Sequence, residues 1–126
     1  TGVTAAYLLA KKGVNVIHIS VRSIHAEDLV QGRFDSPSVI QIGEQLQAAD
    51  GVIIGSPIYK ASYTGVLKAL LDILPQDSLK DIPVLPIMTV GTISHCLAIE
   101  YALKPLIATL KGKNEQGVFV IDKLVD

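Results

Sequence analysis

The sequence predicts an α/β protein with a parallel sheet, because short apolar runs alternate with segments of helical periodicity. One unit shows the pattern most clearly: residues 52–54 are Val-Ile-Ile, a polar loop covers 56–63, and apolar side chains recur at helical spacing over 66–74. A β-branched run of this kind is typical of a strand buried on both faces. In open α/β sheets ligands bind beyond the carboxyl ends of such strands, so loop 56–63 is the first candidate site.

The composition fits a single domain over residues 1–126. The chain is 49% hydrophobic, with a mean hydropathy of +0.44, and its 11 Lys and Arg residues nearly balance 12 Asp and Glu residues. This composition argues against disorder, against a nucleic-acid-binding protein and against a strongly acidic carrier. The single Cys96 argues against disulfides and multi-cysteine metal sites, and we expect no metal. No apolar run approaches the roughly 20 residues of a membrane span, so we expect a cytoplasmic protein without membrane contact.

The expected elements alternate in the order α, β, α, β, α, β, α, β. Helices are expected at 4–12, 37–50, 66–74 and 96–111, and strands at 14–19, 52–54, 82–90 and 117–121. Residues 21–35 have little periodicity and are expected to form an irregular connection. Ser36 and Pro37 fit an N-cap followed by proline at the first helical position. Pro83 and Pro86 argue against the third strand, which is expected to be irregular unless the missing N–H of Pro86 falls where no partner is needed.

Several segments resemble one known family. Residues 56–72, Ser-Pro-Ile-Tyr-Lys-Ala-Ser-Tyr-Thr-Gly-Val-Leu-Lys-Ala-Leu-Leu-Asp, resemble the signature of NAD(P)H-dependent FMN reductases with the flavodoxin-like fold. Residues 26–37, 91–95 and 101–105 resemble, more narrowly, the small reductase component of alkanesulfonate monooxygenase systems. The resemblance implies a doubly wound sheet in the order 2-1-3-4-5 with FMN at the switch point. It also implies that strand 1, with its phosphate-binding loop, and the C-terminal helix are absent from this sequence, which we expect to be a fragment.

Two loops are expected to hold the flavin. By resemblance, the first loop lines the ring, although its residues also fit an ordinary βα turn with a surface Tyr and Lys. The second loop covers residues 89–95, where Val90 stands in place of the first Gly of the Gly-Gly-Thr that related proteins usually have. His95 fits a hydrogen-bond donor to the flavin and a helix cap equally well. The expected cofactor-binding residues are Ser56, Pro57, Ile58, Tyr59, Lys60, Ser62, Thr89, Val90, Gly91, Thr92, Ser94 and His95. No catalytic side chain is expected, because hydride transfer to flavin needs stacked rings and a dry pocket.

Tyr101 and Pro105 predict an irregular helix. Pro105 has no N–H to donate to the carbonyl of Tyr101, so the helix is expected to kink or to form a π-bulge. In the related reductases this tyrosine lies in such a bulge at a subunit interface near the flavin, which implies a homo-oligomer formed through this helix. The alternative is a plain proline kink with Tyr101 half-buried.

The resemblance implies an NAD(P)H:FMN oxidoreductase. NADPH, or NADH, would reduce FMN, and the reduced FMN would leave for a partner monooxygenase. Two alternatives remain: a quinone or azo-dye reductase that keeps FMN bound, and a non-enzymatic flavodoxin-type electron carrier. A receiver domain shares the fold, but it requires an Asp near the end of the central strand, and residues 54–57 supply none.

Overall fold

The structure is a computed structural model that describes residues 9–91 and 97–121. The parallel α/β architecture expected from the sequence is confirmed. In chain order the elements are a 3-10 turn at Val21–Ser23, α1 (Ala26–Val30), α2 (Pro37–Gln47), β1 (Val52–Pro57), α3 (Gly65–Ile73), β2 (Pro83–Val90), a π segment (Ile99–Leu103), α4 (Lys104–Thr109), β3 (Lys113–Asn114) and β4 (Val118–Ile121).

The described sheet is built around β2. β1 pairs in parallel with one side of β2, from Val52 opposite Val84 to Pro57 opposite Thr89. β3 and then β4 pair in parallel with the other side. This arrangement fits strands 3, 4 and 5 of the order 2-1-3-4-5.

The strand predicted at residues 14–19 is wrong for the described chain. Residues 9–11 end a helix, and Gly13 follows with φ +84°, as expected of a helix terminus. The next residues form no ladder with any described strand, and Val14 and Ile17 are 46% and 60% exposed. A strand needs a partner for its N–H and C=O groups, and apolar alternation alone does not supply one.

The connection 21–35 is less irregular than predicted, because it contains the 3-10 turn and α1. The Arg33 guanidinium lies 3.5 Å from the Asp28 carboxylate, and the Ser36 hydroxyl donates to the same carboxylate at 2.9 Å. Ser36 does precede α2, with Pro37 at its start, but its side chain makes no cap hydrogen bond. The predicted start of the helix at Pro37 is confirmed, while the Ser36 hydroxyl bonds to Asp28 of α1 and does not cap α2.

Pro86 fits into β2 because it lies where the pairing of β2 with β3 and β4 is interrupted. The carbonyl of Val84 accepts a hydrogen bond from the N–H of Glu115 at 2.9 Å, so the backbone groups of even-numbered residues face β3 and β4. Pro86 therefore turns toward residues 115–117, which separate β3 from β4. The strand prediction is confirmed, and the missing N–H falls where the ladder is interrupted.

Gly117 brings this gap into contact with the helical layer. A Cβ at Gly117 would lie 2.5 Å from Cγ2 of Ile99 and 3.2 Å from Cγ of Pro86. Any side chain here would therefore displace Ile99, the first residue of the π segment.

β1 differs from its prediction in length and in burial. It continues to Pro57, and Ile54 and Ser56 are buried while Ile53 and Gly55 are exposed. The prediction of burial on both faces is wrong, because the described helices leave one face of β1 uncovered. The core lies on its other face, and the largest fully buried side chains include Val39, Leu79, Val84, Met88, Leu103 and Ile107. In the part of the chain described here, no helix has the length and apolar character to cross a membrane.

Candidate functional site

The loops after β1 and β2 begin side by side at the carboxyl edge of the sheet. Pro57 pairs with Thr89, and the N–H of Ile58 donates to the carbonyl oxygen of Thr89 at 2.8 Å. The two loops expected to hold the flavin therefore start from adjacent residues. Convergent loops at this edge are where parallel α/β sheets bind ligands.

The first loop reverses direction between Tyr59 and Ser62. The N–H of Tyr59 donates to the carbonyl of Ser62 at 2.9 Å, and the N–H of Ser62 donates back at 3.2 Å. Lys60 and Ala61 lie between them with φ of +52° and +68°. Two successive left-handed residues define a type I′ turn, which favours Asn-Gly. A left-handed residue other than glycine costs about 1–2 kcal/mol, so the surrounding structure must hold this turn in place.

Ser56 and Thr64 close the base of the loop. The Ser56 hydroxyl accepts a hydrogen bond from the N–H of Thr64 at 3.0 Å and donates to the carbonyl of Pro57 at 2.8 Å. The Thr64 hydroxyl in turn accepts from the N–H of Leu67 at 3.3 Å and caps α3. Strand, loop and helix are thus joined through two hydroxyl groups.

The loop turns an aromatic ring toward solvent. Tyr59 is 61% exposed, Pro57 and Lys60 are also exposed, and Ser62 is half-buried. Ile58 is buried under the loop and contributes its backbone bond to Thr89. An exposed aromatic ring of this kind suits the apolar face of a flat ligand.

The second loop leaves open space at Gly91. Thr89 is half-buried, while the side chain of Val90 is buried and its backbone pairs with Ile121 of β4. A Cβ at Gly91 would meet no atom of the described residues within 4 Å, its chain neighbours aside, so packing among those residues does not require glycine there. Space and main-chain groups therefore fit the edge of an isoalloxazine ring. The candidate residues Thr92, Ser94 and His95 lie outside the described residues.

The Ile99–Leu103 segment forms the predicted π-bulge. The N–H of Lys104 donates to the carbonyl of Ile99, five residues earlier, and Pro105 follows directly. Tyr101 is 78% exposed while Leu103 is fully buried, so the alternative of a plain kink with a half-buried Tyr101 is wrong. The helix predicted over 96–111 is thus a π segment followed by α4, which ends at Thr109.

Two exposed ion pairs shift pKa values on the surface. Lys68 and Asp72 form an i,i+4 ion pair, and its hydrogen bond raises the pKa of Lys68 above the ordinary value. The Lys111 ammonium hydrogen-bonds to Asp77 and lowers the pKa of that carboxyl. Both pairs stabilise charges that are already present at neutral pH.

The sequence analysis missed two features, one at the candidate site and one elsewhere, between residues 17–24 and α2. Thr64 was not singled out, although a Thr directly before an apolar helical repeat is an N-cap signal. A cleft of about 200 Å³ lined by His18, Ser38, Gln41 and Gln45 also went unnoticed. The i,i+4 spacing of the two glutamines was its available signal. Among residues 9–91 and 97–121, no three His, Cys, Asp or Glu side chains cluster as a metal site would require.

The family described as NADPH-dependent FMN reductase matches residues 3–125. The chain belongs to this family. An FMN reductase (NADPH) from Pseudomonas putida is 48% identical over 118 residues, which cover 93% of this chain and 60% of that protein. An FMN reductase (NADPH) from Escherichia coli is 48% identical over 113 residues, covering 89% and 59%. The chain therefore spans about three fifths of the length of these relatives.

Solved structures of two oxidoreductases share the fold. The apo form of an NADH:FMN oxidoreductase, EMOB, has a TM-score of 0.83 and 35% identity, covering 97% of this chain and 68% of that one. An oxidoreductase from Corynebacterium diphtheriae also has a TM-score of 0.83, at 29% identity, covering 96% and 69%. The flavodoxin-like α/β fold expected from the sequence is confirmed.

Proposed function

We propose that this chain forms part of an NAD(P)H-dependent FMN reductase that supplies reduced FMN to a partner monooxygenase. The observation that carries the proposal is the hydrogen bond from Ile58 to Thr89, which sets two backbone-rich loops together in a member of this family. When bound, FMN accepts a hydride from the nicotinamide and passes its electrons onward. The residues of the chain bind and orient the rings, and no side chain is assigned as a catalytic acid or base.

The described residues divide these roles between them. Tyr59 and Pro57 offer exposed surface to a ring face, and Gly91 leaves space for a ring edge. Lys60, exposed on the turn, is available to the phosphates of a nicotinamide nucleotide. The two loops proposed to form the cofactor site contain Ser56, Pro57, Ile58, Tyr59, Lys60, Ser62, Thr89, Val90, Gly91, Thr92, Ser94 and His95.

The π segment is the proposed site of self-association. Tyr101 and Leu97 are 78% and 55% exposed and lie one helical turn apart, so together they offer an apolar surface for contact. The monooxygenase partner rests on the resemblance of residues 91–95 and 101–105 to the alkanesulfonate-system reductases. A cytoplasmic location follows from the requirement for NAD(P)H as the reductant.

Steady-state oxidation of NADPH by the intact protein tests the activity. With FMN as a substrate, the rate is zero without added FMN and saturates as free FMN is raised. NADH is assayed in parallel to settle the nicotinamide preference. An absence of NADPH oxidation at saturating FMN would favour a flavodoxin-type carrier and contradict the proposal.

The second candidate is an enzyme that retains FMN. An FMN-dependent NADPH-azoreductase from Staphylococcus aureus is 36% identical over 76 residues, 60% of this chain and 37% of that protein. In such an enzyme, added FMN only reconstitutes the holoprotein, and activity stops rising at one FMN per site. Titration of FMN at a protein concentration above the dissociation constant separates the two readings.

The site itself is tested by Gly91→Ala. The added methyl group would occupy the space proposed for the flavin edge, and we expect the KM for FMN to rise about tenfold or more. Gly65→Ala is the matched control, because a Cβ at Gly65 likewise meets no atom within 4 Å and the residue lies on α3. An unchanged KM in Gly91→Ala would remove the second loop from the site.

A further inference from the structure

We propose that Ser56 is a positioning residue: its hydroxyl holds the Tyr59–Ser62 turn in the left-handed form that presents the loop to the flavin. The effect on FMN rests on the proposed function, whereas the effect on the turn does not. Ser56 was expected to bind the cofactor. Its hydrogen bonds place it instead beneath the loop that does so.

The Ser56 hydroxyl is already engaged within the protein. Ser56 is 4% exposed, its single hydroxyl proton is donated to the carbonyl of Pro57, and it accepts the N–H of Thr64. A hydroxyl has one proton and two lone pairs, so no proton remains for a flavin atom, and burial of the side chain keeps the remaining lone pair from a ligand. Its action on the ligand is therefore indirect.

The same hydroxyl fixes both ends of the loop relative to each other. Near the start of the loop, Ile58 is tied to β2 through the carbonyl of Thr89. At its end, Thr64 is tied to α3 through its own side chain and to β1 through Ser56. The chain between these anchors must reverse within a few residues, which a type I′ turn achieves.

Lys60 and Ala61 do not favour this turn by themselves. With φ of +52° and +68°, both residues occupy a region that side chains with a Cβ avoid. Thr64 is 8% exposed, so loss of Ser56 would leave its N–H without a partner in a buried position. The loop end would then move toward water, and Lys60 and Ala61 would relax out of the left-handed region.

A rescue experiment in the intact protein tests this coupling. Ser56→Ala is expected to raise the KM for FMN about tenfold, with kcat at saturating FMN changed less than about twofold. Ala61→Gly lets the second turn residue adopt a positive φ without strain, and the double variant is expected to return to within about threefold of the wild-type KM. Ala61→Gly alone is expected to change the KM less than about twofold.

Ser78→Ala is the matched control for loss of a buried hydroxyl. Ser78 is fully buried, and its hydroxyl also donates to a proline carbonyl, that of Pro75, at the amino-terminal side of β2. We expect this variant to lose thermal stability with no change in the KM for FMN. An equal loss of stability in Ser56→Ala with an unchanged KM would overturn the proposal.

The double variant distinguishes positioning from direct contact. If Ser56→Ala/Ala61→Gly keeps the raised KM of Ser56→Ala, then Ser56 acts on the ligand itself and the proposal is wrong. Chemical unfolding supplies a readout without FMN: Ala61→Gly should stabilise the wild type more than it stabilises Ser56→Ala, in which the strain is already released. Additive unfolding free energies would overturn the coupling, whereas a wild type that does not reduce FMN would overturn only the proposed function.

Discussion

The π segment at Ile99–Leu103 and the turn at Tyr59–Ser62 both depart from regular backbone, but for different reasons. The π segment is followed by Pro105, whose missing N–H is visible in the sequence four residues after Tyr101. The turn contains Lys and Ala where Asn and Gly would be expected, and it is held by hydrogen bonds from outside itself. An irregularity caused by a local residue can be predicted from sequence, whereas one imposed by tertiary contacts cannot.

The largest expected effect tests how the π segment is anchored. Leu103 is fully buried, so Leu103→Ala should lower the free energy of unfolding by about 2–5 kcal/mol. Tyr101→Ala, in the same segment but exposed, should change it by less than about 0.5 kcal/mol at a concentration where the chain is monomeric. Denaturant unfolding measures both, and equal losses would contradict the described orientation of the segment.

Gly117→Ala tests whether the sheet constrains the same segment. The added Cβ would meet Ile99 and Pro86, and we expect a loss of about 1–3 kcal/mol in the free energy of unfolding. Gly65→Ala, whose Cβ has open space, serves as the control and should be neutral or stabilising. If the two variants unfold alike, the contact between Gly117 and Ile99 does not restrict the packing.

Lys60→Gly tests the strain in the turn. Glycine adopts positive φ without strain but loses more backbone entropy on folding, so we expect a net stabilisation of about 0.5–1 kcal/mol. Lys104→Gly, on the helical side of the comparison, should destabilise by about 0.5–1 kcal/mol. Thermal unfolding of both variants checks the contrast, and destabilisation by Lys60→Gly would show that the turn is unstrained.

The smallest effect concerns the ion pair on α3, the helix that the turn leads into. The hydrogen bond to Asp72 raises the pKa of Lys68 above its ordinary value of 10.5. The pair therefore stabilises the fold at pH values below 10.5, and this contribution is lost as the pH rises through the raised pKa. Asp72→Asn should lower Tm slightly at pH 8, within the range of exposed ion pairs. The Tm difference between wild type and variant should vanish at strongly alkaline pH, and a constant difference would point to another cause.

Elements were predicted correctly where a residue constrains the backbone next to it in the chain. Pro37 marked the start of α2, Pro105 marked the π segment, and the β-branched run at 52–54 marked β1. The strand predicted at 14–19 failed because pairing depends on a partner that the alternation itself does not specify. The prediction that β1 is buried on both faces failed for the same reason, because other elements decide which faces of a strand are covered.

The candidate site divides in the same way. Its position beyond β1 and β2 followed from the parallel order of the strands, and the hydrogen bond between Ile58 and Thr89 agrees. The left-handed Lys60 and Ala61 had no sequence signal, because neither residue type favours that conformation. The role of Ser56 was equally hidden, since its partners lie in the folded loop.

The position of Pro86 also fixes the alignment of β2 with its neighbours. Odd-numbered residues of β2 bond toward β1, as the Thr89 carbonyl does, and even-numbered residues bond toward β3 and β4, as the Val84 carbonyl does. Deleting or inserting one residue before Pro86 would exchange the strands that odd-numbered and even-numbered residues face. The proline ring would then point toward β1, where the ladder is uninterrupted and needs an N–H. A single proline thus fixes the register of the central strand and disfavours a shift by one residue.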